Sequence, residues 1–284
     1  LSGITCRFAP SPTGRLHLGH AYSALSAYDF TRANGGRFLL RIEDIDEGRS
    51  RAAFADAIFE DLQWLGIRWD AQPLFQSTRR TAYAQALETL RSLGAVYPCF
   101  CTRRDIAAAP SAPHGPDGPL YPGTCRHMAE ADRERRMAAE AFAWRLDAQA
   151  AAVQTGPLSF TNLGRRVEVD PGRLGDVVIA RKDAGTSYHL AATVDDAFQG
   201  VSDIVRGVDL LPSTHVHRTL QALLGLAAPD YHHHALIAGP DGERLAKRNG
   251  AEPLADLRAK GWTAADVRTE LTRLAASRAS ADLA

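Results

Sequence analysis

Two short stretches of the chain carry residues that could act on a polyphosphate. Residues 7–20 read RFAPSPTGRLHLGH, in which His17 and His20 follow a glycine-containing loop at the end of an apolar segment and open a helical pattern. A helix N-terminus offers N–H groups and positive dipole potential, so polyphosphate is a natural ligand there. A spacing of three sets both imidazoles on one helix face, where they can donate hydrogen bonds to phosphate oxygens as charge develops. The second stretch, GERLAKRNG at 242–250, holds Lys247 between glycines and charged residues, in a segment too polar for a core element and suited to a loop. Only Lys182, Lys247 and Lys260 are lysines in a basic set otherwise made of arginine, which singles out the one inside this motif.

A third constellation is built on sulfur. Of four cysteines, Cys99, Cys101 and Cys125 crowd one region while Cys6 stands alone. That is too few for a disulfide framework, and the crowding indicates metal binding instead. Thiolates favour Zn²⁺ or another soft ion in tetrahedral geometry, and by chemistry alone His114 or His127 is the expected fourth ligand.

These residues need elements to hold them. ITCRFAP reads as a short buried strand, SPTG as a turn, and LHLGHAYSALSAYDFTRAN as a helix ending before Gly35-Gly36. RFLLRIEDID reads as a second strand whose charged end leaves the sheet, followed by helices through RAAFADAIFEDLQWLG and TRRTAYAQALETLRSLG. Repeated strand-loop-helix units with apolar strands predict an α/β fold with a parallel, helix-covered sheet. From Tyr97 alanine, proline and glycine dominate and no period survives, as in an insertion with little core of its own. AFAWRL, GPLSFTNL, RRVEVD and GDVVIA predict a small antiparallel sheet near 142–180, and the α/β texture resumes at Tyr188. SDIVRGVDLL and the helical RTLQALLGL follow, and WTAADVRTELTRLAAS makes a last amphipathic helix.

The expected organisation is therefore residues 1–96 as the first half of a catalytic domain, 97–180 as an inserted α+β region, 181–250 as the second half and 251–284 as a short helical segment. Lys+Arg and Asp+Glu balance at 33 each, which argues against a protein that coats nucleic acid through excess positive charge but leaves room for a local basic face. No run of about eighteen uncharged apolar residues occurs, and LSGITCRFAP lacks a basic segment followed by an apolar one. Neither a membrane span nor a secretory signal is expected, and the expected compartment is the cytoplasm.

HLGH and RLAKR together resemble the paired signature of class I aminoacyl-tRNA synthetases, which clamps ATP. With RFAPSPTG, RIEDID and VDDAFQGVSDIVRGVDLL in order, the chain from about residue 4 to 260 is similar to the catalytic half of the glutamyl-tRNA synthetases. The resemblance implies a Rossmann-like parallel sheet split by an inserted acceptor-binding region, with ligands beyond the carboxyl ends of the strands. It implies that Arg7 pairs with the side-chain carboxylate of glutamate, that Ala9 and Ser11 line the same pocket, and that Glu43 accepts the α-ammonium while Tyr188 and Arg206 close the other side. His17, Gly19, His20, Arg244 and Lys247 would bind ATP, with His17, His20, Lys247 and Mg²⁺ stabilising charge on the phosphates. Arg244 stands where the second signature has its first lysine, and Ala246 where it has serine; the missing hydroxyl predicts slower activation.

The resemblance also bears on the acceptor. The chain ends at Ala284, barely one helix beyond its ATP loop, so no anticodon-binding domain is expected. Cys99-Phe100-Cys101 followed by Tyr121-Pro-Gly-Thr-Cys125 resembles the site of the truncated paralogues, the glutamyl-queuosine tRNA(Asp) synthetases, which implies Tyr121 as the fourth ligand of one structural Zn²⁺. The implied reaction is activation of glutamate by ATP and transfer to a hydroxyl of queuosine, the modified wobble base of tRNA(Asp), by a monomer. The arginine pairs at 103–104, 135–136 and 165–166 are candidate RNA contacts. Two rival readings are a truncated glutamyl-tRNA synthetase charging a 3′ end and a non-catalytic, zinc-stabilised RNA-binding paralogue.

Overall fold

The computed structural model describes residues 3–107, 114–115, 118–237 and 252–281. In chain order its elements are β1 (Thr5–Phe8), α1 (Leu18–Ala33), β2 (Arg37–Ile42), α2 (Ala52–Trp64), β3 (Leu74–Phe75), α3 (Arg80–Ser92), β4 (Val96–Cys99) and α4 (Arg103–Ala107). There follow β5 (His114–Gly115), β6 (Gly118–Pro119), α5 (Glu130–Ala139), β7 (Ala143–Leu146), α6 (Ala148–Thr155), β8 (Ser159–Asn162), β9 (Arg165–Glu168) and β10 (Val178–Ala180). The rest is α7 (Tyr188–Phe198), β11 (Asp203–Gly207), α8 (Leu211–Leu223), β12 (Asp230–His234), α9 (Leu254–Ala259) and α10 (Ala264–Ala281). Contacts divide these into two compact units, Leu1–Ser77 with Val201–Leu210 and Pro229–Ala284, and Thr78–Gly200 with Leu211–Ala228. Among the described residues no helix is long and apolar enough to cross a membrane.

The first unit holds the expected parallel sheet. β1 pairs parallel with β2, β2 with β3, and β11 with β12. Ser202, just before β11, donates its N–H to Thr5 O at 2.9 Å and accepts from Thr5 N through Oγ at 2.9 Å. The start of β11 therefore lies beside the start of β1, and the strands run β3-β2-β1-β11-β12. From β1 the chain winds one way to β2 and, after the second unit, returns on the other side as β11. This is the switch point of a doubly wound sheet, where the crevice beyond the carboxyl ends takes ligands. Apolar residues of β1, β2, α1, α2, α9 and α10 make one core around Phe38, Leu40, Ile58 and Leu62.

The second unit departs from the sequence reading in three places. Residues 142–180 do not form one sheet, because β7 pairs antiparallel with both β10 and β4, whose Val96-Tyr97-Pro98-Cys99 runs into the stretch where the sequence shows no period. β8 and β9 form a hairpin over Leu163 and Gly164, both at positive φ (51° and 72°), a turn whose twist suits the flanking strands. The insertion also has its own core, since Tyr97, Cys99, Phe100, Tyr121 and Cys125 are buried together against Met128, Met137 and Phe142. Aromatic rings and thiols supply here what aliphatic residues supply elsewhere. Helices α5 and α6 were not expected; Asp147 caps α6 by accepting from Ala150 N at 3.0 Å, and Gly156, at φ 63°, ends it.

Candidate functional site

Strand alternation sorts the sheet of the first unit into two faces. Cys6, Phe8, Phe38, Leu40, Ile42 and Val205 join the core that α1 covers. Between them Arg7, Arg41 and Arg206 occupy the opposite face, yet are only 5%, 0% and 5% exposed. Buried guanidinium groups must find partners. Arg41 Nη2 lies 3.1 Å from Glu43 Oε1, and Glu43 N donates to Pro10 O at 3.0 Å, tying the loop after β2 to the loop after β1. Arg206 Nε donates to His233 Nε2 at 3.2 Å and Nη2 to Leu210 O at 3.2 Å. Burial, followed by the charges of Arg206, His234, His232 and Arg7, pushes the pKa of His233 down to about 3, so its ring is neutral at physiological pH. Gly207 admits no side chain, because a Cβ there would meet Leu236 Cδ2 at 2.8 Å as well as the Asp209 carboxylate. The result is a buried sheet face rich in guanidinium groups, with Glu43 held by Arg41 at its edge. Such a face suits a ligand carrying carboxylates.

The two signature histidines stand side by side as expected, with His17 just outside the helix and His20 in its first turn. His17 is the N-cap of α1, in extended conformation (φ −132°, ψ 176°), and its ring accepts from Gly19 N at 3.1 Å. His20, at the third helical position, accepts from His17 N through Nδ1 at 3.2 Å, and the ring centroids lie 3.9 Å apart. The pair is a capping box built from imidazoles. Because each Nδ1 accepts a backbone N–H, a neutral ring at either position carries its proton on Nε2. His17 also bridges to Pro253, and Leu254 N donates to Leu16 O at 2.9 Å. The chain four residues past the second stretch, 242–250, is thus hydrogen-bonded to the first.

In the second unit the sulfur atoms of Cys99, Cys101 and Cys125 lie within 4.8 Å of one another, the one such group of potential metal ligands among the described residues. Cys101 and Cys125 Sγ are 3.7 Å apart, against about 3.8 Å for two thiolates on a tetrahedral Zn²⁺ at ~2.3 Å. Tyr121 Oη sits 3.9 Å from Cys101 Sγ and accepts from Cys125 N at 2.8 Å. His127 is exposed and outside the group, and His114 lies in β5. Burial first, then the neighbouring thiols, pushes Cys101 up to about 11. Burial also works against ionisation of Cys125, but hydrogen bonds from Tyr121, Phe100 N–H and the other thiols outweigh it and lower its pKa. Two buried thiols, the half-buried Cys101 thiol and a buried phenol make a donor set that fits a soft divalent ion.

The other predicted residues fall as follows. Ala9 is half-buried and Ser11 exposed in the loop after β1, and Gly19 lies in the first turn of α1. Tyr188 opens α7 in the second unit, against the rings of His189 and His217. Arg244, Ala246 and Lys247 lie outside the described residues. Of the arginine pairs, Arg135 meets Asp132, Arg136 meets Glu140 and Arg166 meets Glu168, so their charges are partly offset. Sequence reasoning missed Arg41 and His233. For Arg41 the signal was a charged residue inside the apolar run FLLRI; for His233 there was none beyond three consecutive histidines.

The family model for the catalytic domain of tRNA synthetases class I (E and Q) matches residues 3–282. A Glutamyl-Q tRNA(Asp) synthetase of Rhodobacter capsulatus is 49% identical over 270 residues, covering 92% of this chain and 97% of that protein. One of Nocardia farcinica is 47% identical over 267 residues, covering 94% and 83%. Among solved structures, a glutamate tRNA ligase from Elizabethkingia meningosepticum superposes with a TM-score of 0.70 at 28% identity, over 88% of this chain and 53% of that one.

Proposed function

The chain belongs to the tRNA synthetases of class I (E and Q), a family of ligases, and from that membership we propose that it activates glutamate with ATP and transfers it, in the cytoplasm, to queuosine in tRNA(Asp). One observation carries the substrate reading. Arg7 and Arg206 stand buried near the carboxyl ends of the two adjacent central strands, with Glu43 just past the end of β2. Two cations and one anion complement the two carboxylates and the ammonium of glutamate. Arg7 takes the side-chain carboxylate as a planar fork, Glu43 the ammonium, and Arg206 closes the other side.

In the first step the α-carboxylate attacks the α-phosphorus of ATP, the bond to the β-phosphate oxygen breaks and pyrophosphate leaves. The Nε2–H donors of His17 and His20, together with Lys247 and Arg244, stabilise charge on the phosphate oxygens. In the second, a hydroxyl of the queuosine cyclopentenediol attacks the activated carbonyl, AMP leaves, and an ester forms. A zinc ion held by Cys99, Cys101, Cys125 and Tyr121 would cross-link the second unit and take no part in the chemistry. The acceptor is supported by the names of the relatives matched over nearly their whole length.

The test is glutamate-dependent pyrophosphate exchange, then transfer of labelled glutamate to purified tRNAs. A tRNA(Asp) with queuosine but stripped of its CCA end should accept label that stays with the anticodon fragment after nuclease digestion. Label on the 3′ terminal adenosine of an intact tRNA would favour a glutamyl-tRNA synthetase, and absence of both pyrophosphate exchange and transfer to any tRNA would favour a binding module.

A further inference from the structure

Three consecutive histidines end β12, and strand alternation gives them different tasks. His232 and His234 turn toward α1, where His232 Nε2 meets Asp203 Oδ1 at 2.9 Å beside Phe30 and His234 packs edge-on against Tyr22. His233 points to the other face, level with Arg206 in the parallel register, and its ring lies parallel to that of Tyr231 at an interplanar angle of 2°. There Arg206 Nε donates to His233 Nε2 and its Nη2 to Leu210 O.

The chemistry of the first of these bonds is particular. A carboxylate at position 233 would orient Arg206 as well as an imidazole does, but it would neutralise the guanidinium and compete with the substrate's own carboxylate. A neutral acceptor orients the fork and leaves its charge for the ligand. Resting on the reading of Arg206 as a ligand of substrate carboxylate, we propose that His233 is a positioning residue, an uncharged acceptor that holds the Arg206 guanidinium in place without cancelling it. His233 touches no substrate and acts through Arg206 alone. Since its burial and the charges of Arg206 and Arg7 disfavour protonation, its ring stays an acceptor over the working pH range.

The experiment is pyrophosphate exchange with glutamate and ATP titrated separately, on His233→Gln, His233→Glu, His233→Phe, Arg206→Ala and the double variant His233→Phe/Arg206→Ala. Loss of a hydrogen bond to a charged group predicts that His233→Phe raises KM for glutamate about 10- to 100-fold while KM for ATP is unchanged. His233→Gln, which keeps a neutral acceptor, should stay within about threefold of wild type, whereas the nearly isosteric His233→Glu should lose more than His233→Phe. In the Arg206→Ala background His233→Phe should have little further effect. Equal behaviour of His233→Gln and His233→Glu would overturn the proposal, and because the two are so alike in shape it would do so even if His233→Phe failed to fold. If Arg206→Ala weakens glutamate and the His233 variants do not, the positioning role falls while the substrate reading stands. If Arg206→Ala leaves glutamate untouched, the substrate reading falls and takes the positioning role with it.

Discussion

Replacing Asp61 by asparagine should change the pH dependence of stability in a direction that burial fixes. Asp61 lies on α2 with its side chain 1% exposed, and neither carboxylate oxygen meets a hydrogen-bond partner among the described residues. Arg258 Nη1 on α9 is 3.8 Å from Oδ1, too far to offset the lost hydration. Burial, only partly countered by Arg258, pushes the pKa up to about 6. An ordinary aspartate ionises near 3.9, so the folded chain holds a proton that the unfolded chain has released through the window between about pH 4 and pH 6. The stabilisation is complete below the unfolded value and is lost as pH rises through the folded one. Linkage over the two pKa values gives a destabilisation of wild type about 2 kcal/mol larger at pH 8 than at pH 4.5. Asp61→Asn removes the titration, and the burial cost of its amide is the same at both pH values and cancels from the comparison. Urea unfolding followed by tryptophan fluorescence at the two pH values should therefore show the variant gaining about 2 kcal/mol on wild type between pH 4.5 and pH 8. A difference between the two proteins that does not change with pH would refute the reasoning.

Three further outcomes are expected. Cys125→Ser should reduce bound zinc, measured by elemental analysis, and expose the region around Tyr97 and Tyr121 to hydrogen exchange before the parallel sheet opens; full zinc retention in a triple cysteine variant would place the metal elsewhere. Arg7→Gln should raise KM for glutamate by about 10- to 100-fold with little effect on ATP, and equal activation of glutamate and glutamine by wild type would remove Arg7 from side-chain recognition. Lys247→Ala should lower kcat for adenylate formation on the order of a hundredfold at nearly constant KM for ATP, as loss of a contact made in the transition state requires; an unchanged rate excludes that role.

Much of this molecule was legible in the order of its residues because the relevant information is local. A helix start, a Gly-bounded helix end and an apolar strand each declare themselves within a few residues, so the parallel α/β fold could be read without coordinates. The sulfur cluster was equally legible, since CxC and a third cysteine lie within one short segment and need only a tight loop to converge. What the sequence could not show is who stands beside whom. That β11 lies next to β1 depends on Thr5 meeting Ser202 across nearly two hundred intervening residues, and that contact brings Arg7 and Arg206 to the ends of neighbouring strands. The burial of Arg41 in an otherwise apolar strand, the division of labour among His232, His233 and His234, and the hydrogen bond from Leu254 to Leu16 are likewise decided by register and face. A strand's residue types state what it can bury; its two faces acquire different meanings only when neighbours arrive from elsewhere in the chain, and the chemistry follows from those neighbours.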